Sequence, residues 1–154
     1  MQKILLVYDG SVNEQNLILN LKNLYQWQNE ELILIAITPD VEIVPGIVEM
    51  RYIDKTNTTQ SEVDIHANLI AGIDKLRKMG FNVNGKIISG NISTQIARYA
   101  SEYDIDLIVI FHKHEKNRFR RWLNGSVAKS LINMSTCNVL VVPCFISPNL
   151  KQTA

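Results

Sequence analysis

The residues able to do chemistry are concentrated between Asp106 and Pro143, in the run DLIVIF, HKHEKNRFRRWLN, GSVAKSLINMSTC and NVLVVP. Gly125 and Ser126 stand where a helix would open, and the unpaired N–H groups and dipole of a helix N-terminus attract anions. Just upstream, Lys113, Lys116, Arg118, Arg120 and Arg121 stand against Glu115 alone, a local charge of +4 that leaves −3 for the rest of a chain whose total is +1. That field suits a phosphate or a carboxylate, and the arginines add bidentate geometry. His112 and His114 sit two residues apart beside Glu115, but no third and fourth ligand is spaced to close a metal site, so they read as a solvated polar loop. His66 falls on a helical stretch, as a surface or half-buried imidazole. Phe119 and Trp122 among the cations could stack on bases. With the overall charge near neutral they read instead, with Leu123, as anchors of the loop on the sheet, and nucleic acid is not the expected partner. Cys137 and Cys144 flank one strand rather than forming a CxxC pair, which points to reduced, partly buried thiols. No Ser/His/Asp, Cys/His or paired-carboxylate set is spaced for turnover, so no catalytic residue and no metal ligand is assigned.

The elements that must position these residues follow from periodicity. KILLVY, residues 3 to 8, is a continuous apolar run stopped by Asp9-Gly10, which reads as a strand buried on both faces. Ser11 to Glu14 fits a capping box, and Leu17, Leu21 and Leu24 follow at helical spacing. ELILIAI, from Glu31 to Ile37, is a second buried strand, ended by Thr38-Pro39. Residues 39 to 58 carry no sustained period and read as a surface excursion. Thr59 to Glu62 is a second capping box, after which Ile65, Leu69, Ile73 and Leu76 keep one face apolar until Gly80 supplies the position beyond the C-cap. Val83 to Ser89 alternates and contains Gly85, as a strand near the sheet edge would. Gly90-Asn91 then leads into a helix with Ile92, Ile96, Tyr99 and Ala100 on one stripe. Asp106 begins the strand LIVIF. Val127, Ala128, Leu131 and Ile132 give the helix opening at Gly125 one apolar face, and VLVV, residues 139 to 142, is the last strand.

Strands alternating with helices imply crossover connections and a parallel sheet covered on both sides. At 154 residues and 46% hydrophobic content the chain suits one domain with a full core. We expect a domain over residues 1 to 145 and a tail over 146 to 154. The opening MQKILLVYDG is too short an apolar run for a secretion signal, and no run reaches membrane-spanning length, so a cytoplasmic protein with no membrane partner is expected.

KILLVYDGS at the start, GNISTQIARYASEYDIDLIVI in the third quarter and GSVAKSLINMSTCNVLVV near the end resemble the universal stress protein family, over nearly the whole chain. The resemblance implies a three-layer α/β sandwich of the adenine nucleotide alpha hydrolase-like, Rossmann-like kind, with a five-stranded parallel sheet in order 3-2-1-4-5. It also implies a homodimer joined through the last strand, at Val139, Leu140, Val141 and Val142, where an exposed apolar edge would need covering. ATP-binding members carry Gly-x-x-Gly, nine residues, then Gly-Ser or Gly-Thr. Two glycines let the backbone approach the phosphates, and the last pair opens the helix that holds them.

Only the last part of that pattern is present. Counting back from Gly125 puts His112 and Glu115 where the glycines would be; counting forward from Asp106 puts Phe111 and His114 there. Under either register a side chain replaces each glycine, and Glu115 would repel a phosphate it faced. Carried over by position, the resemblance places Asp9 at the ribose, Val7 and Ile37 near the base, Ile110 and Phe111 along the nucleoside, His114 on the loop, and Gly125, Ser126 and Val127 near the phosphates. Asp9 also suits a plain strand-to-helix turn, and Gly125-Ser126 an ordinary helix start. The expectation is a non-enzymatic stress-response protein with a weakened or lost adenine-nucleotide pocket, no required cofactor, and ATP or AMP as the nucleotide to test. The competing expectation is an ATP-binding member with slow hydrolase or nucleotide-dependent transferase activity.

Overall fold

The computed structural model of the protein describes residues 1–8, 18–19, 24–38, 58–113 and 125–144. Five strands and three helices organise them: β1 (Lys3–Tyr8), β2 (Glu31–Thr38), α1 (Thr58–Lys78), β3 (Asn82–Ser89), α2 (Ile92–Glu102), β4 (Leu107–Lys113), α3 (Gly125–Met134) and β5 (Asn138–Cys144). A single 3₁₀ turn, Leu24–Trp27, precedes β2. Ile18 and Leu19 are helical, while the capping box at Ser11 to Glu14, residues 39 to 57, residue 145 and the tail over 146 to 154 lie outside the described residues.

The strands form one parallel sheet in the order β3-β2-β1-β4-β5, as the resemblance implies. β1 lies at its centre, and its apolar run is the reason: from Ile4 to Tyr8 every residue is at most 2% exposed, which only a strand covered on both faces achieves. Side chains alternate between two cores. Ile4, Leu6 and Tyr8 join Leu69, Leu76, Val109 and Phe111 in the core beneath α1. Leu5 and Val7 join Ile96, Ala100, Ile110, Val127 and Leu131 in the core beneath α2 and α3. The result is a three-layer α/β sandwich.

β3 is an edge strand, in keeping with its alternating sequence. Gly85 has a packing role here, because a Cβ on it would stand 2.3 Å from Cδ1 of Ile73 on α1. α1 ends as the glycine predicts: Gly80 takes φ +92°, its N–H donates to the Arg77 carbonyl, and the Phe81 N–H donates to Leu76 at 3.1 Å. α2 starts at Asn91, whose side chain accepts from the Thr94 N–H at 3.1 Å. It ends with Asp104 at φ 52°, while the Ile105 N–H returns to the Ala100 carbonyl at 2.9 Å.

Two expectations are corrected. Thr59 is the second residue of α1, so the capping box at Thr59 to Glu62 stands one residue inside the start of the helix rather than at its cap. Ile132 is 61% exposed rather than part of the apolar face of α3. α3 rests near the β5 margin of the sheet, where Val127 and Leu131 suffice to cover what lies beneath.

Candidate functional site

In this strand order the chain runs outward from β1 to β2 and β3, then returns to add β4 and β5 on the other side. Ligands in such sheets bind outside the strand C-termini where the direction reverses, here between β1 and β4. The ladders show an opening at that point. β1 stays paired with β2 as far as Tyr8 opposite Ala36, and β4 with β5 as far as Lys113 opposite Cys144. Between β1 and β4 pairing ends at Leu6 opposite Val109. Val7 and Tyr8 therefore run on along one side of a fork, and Ile110 to Lys113 along the other.

The fork gathers much of the expected site. Val7, Ile37, Ile110 and Val127 belong to one core, beneath α2 and α3. Phe111 points to the other face, where it packs in the cluster that holds Tyr8. Tyr8 is the fork residue that sequence reasoning passed over; its place as the last residue of the central strand was the available signal. The floor so formed is apolar and closed. Val7, Ile37 and Ile110 are 2%, 1% and 2% exposed, and Val127 is 8% exposed.

α3 opens at Gly125, as its sequence predicts, with Ser126 and Val127 in its first turn. Val127 sits in the same core as Val7 and Ile110, which brings the helix start to the fork. The first turn carries no acidic residue, so the partial positive charge of its N–H groups is not offset by a carboxylate of its own. Asp9, His114, Glu115 and the cations from Lys116 to Arg121 lie outside the described residues.

The opposite, N-terminal end of the sheet is tied by carboxylates. The Asp106 carboxylate accepts the Lys3 N–H at 2.8 Å, and the Asp106 N–H returns to the Lys3 carbonyl at 3.0 Å. Glu30 accepts the Gln2 N–H on the other side of β1. Asn138 donates to the Asp106 carbonyl at 3.3 Å, which extends the tie to β5. β1 is thus gripped at its foot by both neighbours while its tip parts from β4.

Cys137, a half-buried free thiol, precedes β5. Burial raises its pKa first; a backbone hydrogen bond pulls it back, and the Asp106 carboxylate adds to the rise. His66 is exposed on α1. Among the described residues no three His, Cys, Asp or Glu side chains gather as they would around a metal ion, and no helix is long and apolar enough to cross a membrane.

A sheet in this order, open between β1 and β4 with a helix start beside the opening, defines a class of α/β proteins that includes nucleotide binders. The universal stress protein family model matches residues 1–143. The chain belongs to the universal stress protein family. Among solved structures it is similar to the hypothetical protein MJ0577, with 24% identity, TM-score 0.70, and coverage of 95% of this chain and 98% of that one. A universal stress protein from Archaeoglobus fulgidus, in complex with dAMP, aligns at 16% identity and TM-score 0.61 over 92% of this chain and 98% of that one. A family protein from Arabidopsis thaliana with AMP bound aligns at 12% identity and TM-score 0.63 over 95% and 94%. No curated protein sequence matches the chain.

Proposed function

We propose that this protein is a non-enzymatic member of its family, acting by binding and conformational state, with an adenine-nucleotide pocket that is weakened. The closed floor of the fork carries this reading. A base seated there would have to uncover Val7, Ile37 and Ile110, each at most 2% exposed, and moving packed apolar side chains opposes binding. The sequence adds a second obstacle, since side chains occupy the two glycine positions upstream of Gly125. Support for a residual adenine-nucleotide site comes from the dAMP and AMP complexes of the two relatives and from the start of α3 at the fork. A single phosphate on the N–H groups of residues 125 to 127 asks less of the loop than a triphosphate does.

Titration calorimetry with ATP, ADP and AMP tests the reading. Millimolar or weaker binding of ATP is expected, and micromolar binding would overturn the weakened pocket. An overnight hydrolysis assay against Ser126→Ala separates the enzyme reading: turnover lost on substitution would replace the non-enzymatic assignment with a slow hydrolase or transferase.

The working form is proposed to be a cytoplasmic homodimer joined through β5. β5 forms one edge of the sheet, and Leu140 on it is 37% exposed. On the other edge strand, the Val83 carbonyl already accepts two N–H donors of Arg77, at 3.1 and 2.9 Å. Size-exclusion with light scattering should give a dimer at micromolar concentration and a monomer for Leu140→Lys. A wild-type monomer would remove the dimer.

A further inference from the structure

A second, separate cleft lies between α2 and β3, on the far side of β2 from the fork. Its origin is the offset of α2. Ile96 and Ala100 press into the core over the inner strands, so the face of β3 turned toward α2 is left bare, with Asn82, Asn84 and Lys86 exposed and Ile88 half-buried. The outward flank of α2 rises beside it as a wall, and the space between is about 130 Å³. That is below the range of drug-sized sites, which limits an occupant to one ring with a small substituent.

The lining has a consistent chemistry. Tyr99 and Tyr103 stack with ring centroids 4.3 Å apart and planes inclined by 26°, and Tyr103 is 48% exposed, so the pair offers an aromatic surface to the cleft. Arg98 pairs with Glu102 through Nε at 3.3 Å, and its side chain is 66% exposed, so the guanidinium is open to solvent on the cleft side. Lys86 on the floor makes no ion pair among the described residues. Burial, then the neighbouring Tyr103 and Glu31, raise the Tyr99 phenol above its ordinary 10.0, so it remains a neutral donor at physiological pH. Two cations against the Glu102 carboxylate leave a charge of +1, which balances one carboxylate rather than a phosphate dianion.

We propose that this cleft binds a small aromatic carboxylate, with the ring against the Tyr99–Tyr103 stack and the carboxylate between Lys86 and Arg98. Ile88 supplies the apolar part of the floor. The site is independent of the fork.

Two-dimensional amide NMR with benzoate as the probe, and benzamide as its uncharged counterpart, tests the proposal on the full chain. Benzoate is expected to shift amides of residues 86 to 88 and 95 to 103 with millimolar affinity, while benzamide leaves them in place and AMP does not compete. Lys86→Gln and Arg98→Gln, both at exposed positions, should each weaken binding about 5- to 10-fold. Equal shifts with benzamide, shifts spread over the surface or centred on Val7 and Ile110, the absence of any shift, or unchanged affinity in both variants would overturn it.

Discussion

Leu6 and Val109 form the last rung between β1 and β4, although both strands run on past them. The ladders on either side continue to Tyr8 and to Lys113, so the parting is local to the centre of the sheet. Amides of Val7, Tyr8, Ile110 and Phe111 that face the gap are expected to exchange with solvent at least ~10-fold faster than those of Ile4 to Leu6. Hydrogen exchange followed by NMR measures this. Equal protection would mean that the rungs continue and the fork is closed.

Gly85 and Ile73 give a prediction about stability. A methyl at residue 85 would meet Ile73 Cδ1 at 2.3 Å, with Leu69 Cδ1 at 3.4 Å behind it. Ile73 is half-buried and its tip can swing aside, but its Cγ1 also stands 3.3 Å from that methyl, so Gly85→Ala is expected to cost about 0.5–1.5 kcal/mol, the cost of an off-rotamer side chain. Combining it with Ile73→Val should cost less than the sum of the two single changes, because the second removes the clashing carbon. Urea unfolding of the four proteins checks this, and simple additivity would contradict it.

Asp104 offers a change in the other direction. It holds a left-handed φ of 52° at the end of α2, a conformation that glycine adopts without the Cβ penalty. Its carboxylate also stands at the negative end of the helix dipole. Asp104→Gly is expected to stabilise the fold by ~0.5–1 kcal/mol, read as a higher urea midpoint at unchanged slope. A lower midpoint would contradict the assignment.

Cys137 predicts a dependence on pH. Its thiol is raised above the ordinary 9.0, so the folded chain holds that proton more tightly than the unfolded chain does. The associated stability is full below the ordinary thiol value and is lost as pH climbs through the raised one. Urea midpoints should therefore fall as pH rises from about 8 to about 10, and Cys137→Ala should flatten that fall. An unchanged slope in the variant would show that the thiol plays no part.

Much of the fold was legible because its signals are local. After their first residues, Lys3 and Glu31, KILLVY and ELILIAI are unbroken apolar runs, as inner parallel strands are, and the alternation and Gly85 of β3 marked an edge. Gly80 marked a helix end through a positive φ that few other residues adopt, and Gly125-Ser126 marked a helix start. Ile132 misled because helical spacing shows which residues share a face, while the width of the covered face depends on how near the helix lies to the sheet margin. VLVV could not show that Leu140 would be more exposed than Val139 and Val141, since four apolar residues in a row hide the alternation. The fork and the cleft beside α2 were illegible for a common reason. Each is a gap between elements far apart in sequence, fixed by register and helix offset; only the spacing of Gln95, Arg98, Tyr99 and Glu102 along α2 hinted at a second lined face.

On the function proposed above, side chains at the positions of the family's two glycines, together with a closed apolar floor, weaken an adenine-nucleotide site at the start of α3. Calorimetric titration of ATP into the wild type and into His112→Gly/Glu115→Gly measures it most directly. Millimolar or weaker binding is expected for the wild type and at least ~10-fold tighter binding for the double variant. Micromolar binding by the wild type, or no gain in this variant and none in His114→Gly, which samples the other register, would contradict it.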